Sequence, residues 1–239
     1  MLLHSAARVL VSRCLLGWLL AAAPFALSGA DEKSVKPGIN AEYLKPDLNV
    51  TQWTERFERE GREIYDHREK IVAAAELKPG QTVADIGAGT GLFMPYFSRA
   101  VGPTGKVIAV DIVPAFVAKL KGRAAELGLA NVSTVLCTER SVELPPASID
   151  VAFICDVYHH FEYPQSSLAS IRKALKPGGT LVVVEFKRIP GVSSEWIMNH
   201  VRAGQEVFEA EIAAAGFARI GESPILKDNY ILRFRRTAD

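Results

Sequence analysis

An excess of charge of either sign is missing from this sequence. Its 28 lysines and arginines are offset by 27 aspartates and glutamates, leaving +1 with histidine neutral. Phosphate binding shows as a clear basic excess, so a nucleic-acid-binding surface has no support. The basic series Arg233, Arg235, Arg236 alternates along the last strand pattern and reads as a solvated strand face. Cysteine is scarce: Cys14, Cys137 and Cys155 are all there are. That excludes a disulfide-built fold and a cysteine-rich metal centre. Cys137 and Cys155 each end a strand pattern with other strands expected between them, and are expected as free buried thiols. No apolar run reaches the ~20 residues of a comfortable membrane span, and the one from Cys14 to Leu27 falls short of it. Internal repeats and low-complexity tracts are absent.

What is present begins with an N-terminal layout distinct from the rest. Arg8 and Arg13 precede the apolar run, which ends in Ser28-Gly29-Ala30 before Asp31-Glu32-Lys33. A positive head, an apolar middle and small residues at −3 and −1 describe a secretory signal peptide over residues 1–30, cleaved after Ala30. The expected location is therefore exported, periplasmic or secreted. Membrane anchoring by an uncleaved leader, with contact at the membrane surface, is the second choice. Residues 31–52, with Pro37, Gly38, Asn40, Pro46 and Asn49, read as an extended connector, and residues 53–239 as one domain.

Residues 53–75 carry Phe57, Ile64 and Ile71 at seven-residue spacing and predict a helix, stopped by Lys78-Pro79-Gly80. Strand and helix patterns then alternate. Strands are expected at 82–86, 106–111, 132–137, 149–156 and 180–186, with helices at 91–101, 114–127 and 165–175. A long helical stretch at 194–215, with a break near Gly204, leads to a terminal antiparallel pair. This alternation predicts an α/β fold: a mostly parallel, Rossmann-like sheet with helices on both faces.

In such a sheet ligands bind beyond the C-terminal strand ends, where strand order reverses. The first strand runs straight into "VADIGAGTGLF", residues 83–93. A dinucleotide turn, G-x-G-x-x-G counted from Gly87, needs glycine at position 92; Leu92 stands there and the third glycine is Gly91. Asp85, two residues before the turn, would repel a pyrophosphate and suits a cation. The next strand ends at Asp111, a carboxylate able to accept from two vicinal ribose hydroxyls. A ligand with a ribose, no phosphate and a positive centre fits this set, and S-adenosylmethionine meets all three conditions. The alternative for Asp85 is a cap on the turn's own N–H groups.

The ordered set "VADIGAGTG", "VIAVDI", "DVAFICDVYHHF" and "ALKPGGTLVVVEF" resembles the first, second, fourth-strand and fifth-strand motifs of the class I S-adenosylmethionine-dependent methyltransferases. The resemblance spans residues 53–236. It implies a seven-stranded sheet of order 3-2-1-4-5-7-6 with strand 7 antiparallel. It also implies that Asp85, Gly87, Gly89 and Gly91 line the methionine side of the donor, that Asp111 and the adjoining Ile112 meet the ribose end, and that Asp156 lies near the donor's methionine part. Many relatives place an acid just after strand three, against the adenine amino group; here Cys137 stands there, leaving Thr138 or Glu139 for that contact. A segment before the first motif closes over the donor in relatives, with Tyr65 and Arg62 as candidates here.

Methyl transfer from a sulfonium is an in-line displacement governed by positioning, and a base is needed only where the nucleophile loses a proton. His159 and His160, just past strand four, are the candidate catalytic residues, the alternative being rings packed under the loop. Glu185 and Lys187 are candidates for the acceptor pocket. Cys155 with the two histidines makes no metal-ligand set, so no metal is expected. The absence of an Asn/Asp-Pro-Pro-aromatic motif weakens methylation of a nucleobase amino group. With only small insertions, the acceptor is expected to be a small molecule or lipid-like. Two rival readings remain: an exported non-catalytic nucleoside-binding protein, and an NAD(P)-dependent oxidoreductase.

Overall fold

The computed structural model describes residues 32–238; the expected signal peptide lies outside the described residues. The chain up to Asn49 forms turns, and three short helices follow: α1 (Val50–Phe57), α2 (Glu63–Asp66) and α3 (Arg68–Ala74). The single helix expected over residues 53–75 is thus broken. Gly61 adopts φ 82°, its N–H held by the Asp66 carboxylate at 3.1 Å, and turns the chain back after α1. The break sends the seven-residue stripe to two places. Phe57 packs with Trp53 and Phe116, whereas Ile64 and Ile71 join the core beneath the sheet.

From there the alternation is as expected: β1 (Thr82–Ile86), α4 (Met94–Val101), β2 (Lys106–Asp111), α5 (Pro114–Glu126), β3 (Val132–Leu136), β4 (Ile149–Cys155), α6 (Pro164–Ala174), β5 (Leu175–Phe186), α7 (Glu195–His200), α8 (Gln205–Ala214), β6 (Phe217–Glu222) and β7 (Asn229–Arg236). The sheet has seven strands in the order β3-β2-β1-β4-β5-β7-β6, with β7 antiparallel to both neighbours. The break between α7 and α8 falls at Gly204, which sits at the start of α8.

Strand alternation splits the core in two. Ala84, Ala152, Leu181 and Val183 face Leu168, Ile171, Phe208 and Ile212 of α6 and α8. Val83, Val151, Val182 and Val184 face Ile71, Phe97 and Val101 of α3 and α4. Within that second layer Phe93 stacks on Phe97 at 5.7 Å, and Phe153 meets both rings edge-on at 5.0 and 4.9 Å. Both faces being covered is why the middle of β5, Leu181 to Val184, is an apolar run. Parallel pairing of β1 with β2 on one side and β4 on the other makes the β1/β4 boundary the point where strand order reverses. The bend after β1 opens there.

Candidate functional site

Gly87, Gly89 and Gly91 all take positive φ, 74°, 54° and 85°, a region that costs a side chain about 1 kcal/mol or more. Their roles differ. A side chain at Gly87 would collide with Val157, and one at Gly91 with Leu120 at 2.8 Å; both glycines serve packing of the bend itself. At Gly89 the nearest atoms are 3.9 Å away. Gly87 and Gly89 border a cavity of about 480 Å³, within the ~300–1,000 Å³ usual for ligand pockets, whereas Gly91 does not. The expectation that Gly91 lines the donor is corrected accordingly. The N–H groups of Gly87 and Ala88 bond the Val110 carbonyl at 2.8 and 3.0 Å, and that of Gly91 bonds Ala88. These amides are spent on the bend and not offered to a ligand.

Asp85, next to last in β1, lies beneath this bend, and its Oδ2 is buried with no hydrogen-bond partner. Burial, with Asp111 adding repulsion, pushes its acid up to about 8. Asp111 ends β2; Oδ2 accepts from Gly89 N–H and Oδ1 from Val113 N–H, each at 2.8 Å. Burial raises Asp111 to about 6, with the amides of Val113, Gly89 and Ile112 holding it back. Two carboxylate oxygens carry about four lone pairs, so capacity remains for a ribose hydroxyl.

The wall opposite comes from the N-terminal segment. Trp53 of α1 packs with Val113 and Phe116, flanked by Tyr43, Phe57 and Ile112. Glu58 fastens this wall. It accepts from both terminal nitrogens of Arg123 and from Thr90 Oγ1 at 2.6 Å, tying α1 to α5 and the bend. Asp156, just past β4, sits at φ 52°, a strained position for a non-glycine residue and a mark of functional sites. Its carboxylate accepts from Arg62 and from Asn229 Nδ2, both at 2.6 Å, and its N–H bonds Val184. Burial raises its acid and Arg62 opposes that rise. Arg62 is therefore committed to Asp156 and to the Phe57 carbonyl at 3.0 Å. Arg56 and Arg59 are exposed on the cavity rim, Arg56 with its guanidinium over the Trp53 ring.

The far end of the cavity is built of imidazoles. His159 follows β4 in a single turn of 3₁₀ helix, is buried, and meets Glu185 of β5: Nδ1 to Oε2 is 2.8 Å. Glu185 also accepts from the N–H groups of His159 (3.2 Å) and Phe186 (2.7 Å). On its other side His159 Nε2 lies 3.1 Å from Nε2 of His200 in α7. Trp196 stacks on His200 at 4.5 Å. His160 leans on Tyr43 edge-on at 5.2 Å, and its carbonyl accepts from Asn40 at 3.1 Å. Burial and neighbouring positive charge hold these rings neutral, His159 down to about 3, His160 to about 2 and His200 to about 4. Burial conversely raises Glu185.

Of the residues singled out from the sequence, Asp85, Gly87, Gly89, Asp111, Ile112, Asp156, His159 and His160 all border the one cavity. Tyr65 does not. It packs with the α3–α4 layer, under the Arg68 guanidinium at 4.3 Å, and Tyr43 stands at the cavity in its place. Thr138 and Glu139 are exposed and outside it; Thr138 Oγ1 instead accepts from Ser141 N–H at 3.1 Å. Lys187 is also outside: its ammonium bonds the Leu226 and Lys227 carbonyls at 3.0 Å. His200, Trp196 and Tyr43 were not found from the sequence. The i,i+4 pairing of Trp196 and His200 on one short helix was the available signal.

A seven-stranded sheet of this order, with carboxylates at two adjacent strand tips and a glycine bend between them, defines the class I S-adenosylmethionine-dependent methyltransferase fold. The comparisons agree. Residues 84–183 match the family model of a methyltransferase domain. The ubiquinone/menaquinone biosynthesis C-methyltransferase UbiE of Burkholderia mallei is 33% identical over 118 residues, 49% of this chain and 48% of that protein; the Burkholderia thailandensis protein gives the same figures. The chain thus matches about half the length of these curated relatives. A SAM-dependent methyltransferase from Aquifex aeolicus superimposes with a TM-score of 0.71 at 24% identity, over 80% of this chain and all of that one. A geranyl diphosphate methyltransferase in complex with SAM gives 0.57 at 16%, over 75% and 93%.

The residues present fit S-adenosylmethionine, the donor to which the sequence motifs point. Asp85 offers a buried, unpartnered carboxylate oxygen that a cationic ligand would neutralise. Asp111 keeps acceptor capacity, and the backbone at Gly89 is open to close approach. A pyrophosphate would meet Asp85 instead, which argues against the oxidoreductase reading.

Proposed function

We propose that this chain methylates a small-molecule or lipid-like acceptor with S-adenosylmethionine as donor, and does so after export through residues 1–30. One observation carries the reading: a single cavity joins the carboxylate-and-glycine end, suited to the donor, to the histidine end, suited to an acceptor. The donor when bound supplies a methyl group on a sulfonium, an already activated leaving group. The chain's own part is positioning. Asp111 accepts from the ribose, Asp85 faces positive charge, and Phe57, Val113 and Phe116 wall the nucleoside from water. The histidine end receives the nucleophile, with His159 and His160 the residues proposed to act there.

The apolar lip favours an acceptor with an apolar body. Ile189, Val192 and Trp196 are 45%, 77% and 46% exposed, and Trp196 and Phe186 border the cavity. A quinone-like ring, as the name of the Burkholderia relatives suggests, is compatible with such a lip. No helix among the described residues is long and apolar enough to cross a membrane. The test is methyl transfer from labelled donor to extracts, water-soluble and lipid fractions assayed separately, with mass spectrometry of the product. Calorimetry with S-adenosylmethionine and NAD establishes which nucleotide binds. Donor binding without transfer to any fraction would favour a non-catalytic binding protein, and cytosolic fractionation of the expressed chain would overturn export.

A further inference from the structure

Three of the five histidines in the chain meet at one point. His159 and His160 are adjacent after β4, and His200 lies 41 positions beyond His159, on α7. One ring nitrogen from each falls within 4.8 Å of the others, and their ring centroids stand 4.3–5.1 Å apart. Adjacent residues on a loop ordinarily point apart. Here the 3₁₀ turn sends both rings to the same side, where α7 delivers the third.

The spacing is close to what a metal ion needs. Two imidazole nitrogens at ~2.0–2.1 Å from a tetrahedral ion stand about 3.4 Å apart. The Nε2 atoms of His159 and His200 are at 3.1 Å. His160 has at most a short closing movement to make, and its Nδ1 is buried without a hydrogen-bond partner. Glu185 completes the pattern from behind. It is fully buried, its oxygens are pinned by the His159 and Phe186 amides, and it takes Nδ1 of His159, leaving Nε2, which faces His200, to ligate. A carboxylate gripping the far nitrogen is how metal-binding imidazoles are oriented and made more basic. All three donors are neutral nitrogen, with no free carboxylate or thiolate among them, which selects zinc-like transition ions over magnesium or calcium.

We propose that His159, His160 and His200 form a three-imidazole site for a divalent transition-metal ion such as Zn²⁺, with its fourth position open to the cavity. Binding of the ion does not depend on methyl transfer; its use in catalysis rests on the reading under Proposed function. The acceptor class that follows is a hydroxyl or thiol. Its proton leaves to solvent water, and its oxygen or sulfur, held at the open position, forms a bond to the methyl carbon. The C–S bond of the sulfonium breaks and its electron pair stays on the donor sulfur.

The test uses the untagged chain, loaded with Zn²⁺ or Co²⁺, dialysed against metal-free buffer and assayed by elemental mass spectrometry. About one equivalent is expected, with visible Co²⁺ absorption of the four-coordinate kind. His67→Ala, remote from the cavity, should keep the metal. His160→Ala and His200→Ala should each lose it, and Glu185→Gln should weaken it roughly 10–100-fold. His200 is only half-buried on a six-residue helix, so its removal spares the core, and circular dichroism confirms each fold. A wild-type chain that retains no ion, or histidine variants that retain as much as wild type, would overturn the site. Donor affinity measured by calorimetry on the metal-free chain tests the methyltransferase reading separately, so either can fail without the other.

Discussion

Replacing Asp85 with asparagine should stabilise the ligand-free chain at alkaline pH while weakening the donor. The carboxyl group is 2% exposed, Oδ2 bonds nothing, and its acid is raised from 3.8 to about 8 by burial and by Asp111. A carboxyl raised on folding keeps its proton where the unfolded chain has lost it. Its stability contribution is whole below pH 3.8 and disappears as pH climbs to about 8. At ~1.36 kcal/mol per unit, the full loss is on the order of 5 kcal/mol. An isosteric amide has no charge to desolvate, but buries an N–H pair without an assured partner, which costs about 1–2 kcal/mol. The net gain at pH 8.5 is about 3 kcal/mol, or roughly 6–12 °C for a domain of this size. Near pH 4 the gain vanishes and the amide penalty remains. Asp111, Asp156 and Glu185 are also raised and slope the same way, so the quantity to read is the difference between wild type and variant, from urea or thermal melts between pH 4 and 9. The same variant should bind S-adenosylmethionine more weakly by calorimetry. A difference that stays flat with pH, or an Asp85→Asn chain less stable than wild type at pH 8.5, would refute the idea that this carboxylate waits for a cation.

Asp111→Ala should weaken donor binding by about 1–3 kcal/mol, read by calorimetry, and lower the melting temperature too, since the Gly89 and Val113 amides lose their acceptor. The glycines of the bend should separate in a melt: Gly87→Ala meets Val157 Cγ2 at 2.6 Å and should cost about 3 kcal/mol or more, whereas Gly89→Ala, with 3.9 Å of clearance, should cost only about 1 kcal/mol and lose donor affinity instead. Arg62→Ala strips Asp156 of its cation, leaving the Asn229 amide alone; with Arg62 23% exposed, a loss of about 2–3 kcal/mol is expected at pH 8. Because burial raises Asp156, that loss should shrink towards pH 5 as the carboxyl takes up a proton.

The sheet was legible because its signals are local. Each strand is a short apolar run, each helix a 3.6-residue pattern, and "VADIGAGTG" places the bend by position alone. The strand order came from the family resemblance and agrees with the pairing. What escaped depends on where the chain turns between elements. Phe57, Ile64 and Ile71 keep helical spacing, yet Gly61 at φ 82° folds α1 away from α2, and a periodicity count does not register one left-handed residue. That fold-back also decides which tyrosine reaches the cavity: Tyr43 rides with α1, while Tyr65 on α2 turns into the α3–α4 layer. His200 is invisible beside "YHHF" in the sequence because α7 reaches it only after β5 has crossed the sheet. The sequence reading weighed Cys155 with the two adjacent histidines, whereas the fold brings His200 beside those histidines.

The electrostatics of the cavity bear on why its occupant has the charge it has. Asp85 and Asp111 at the tips of β1 and β2, and Asp156 and Glu185 past β4 and at the end of β5, put carboxyl groups along one edge of the sheet, all with acids raised by burial. Protein partners are provided unevenly. Asp156 has Arg62 and Asn229, Glu185 has His159 and two amides, and Asp111 has amides; Asp85 Oδ2 has nothing. A buried carboxylate with no partner is retained at a cost of several kcal/mol only where something else supplies the counter-charge, or where the group stays protonated. A sulfonium bearing an ammonium supplies positive charge at that end, and the ribose needs only the remaining capacity of Asp111. A dinucleotide brings pyrophosphate to the same carboxylates and raises the cost further. Selection of a cationic, phosphate-free nucleoside thus follows from leaving one carboxylate unsatisfied, and a second cation held by the histidines would extend the same logic to the acceptor, whose deprotonated form alone would be drawn to it.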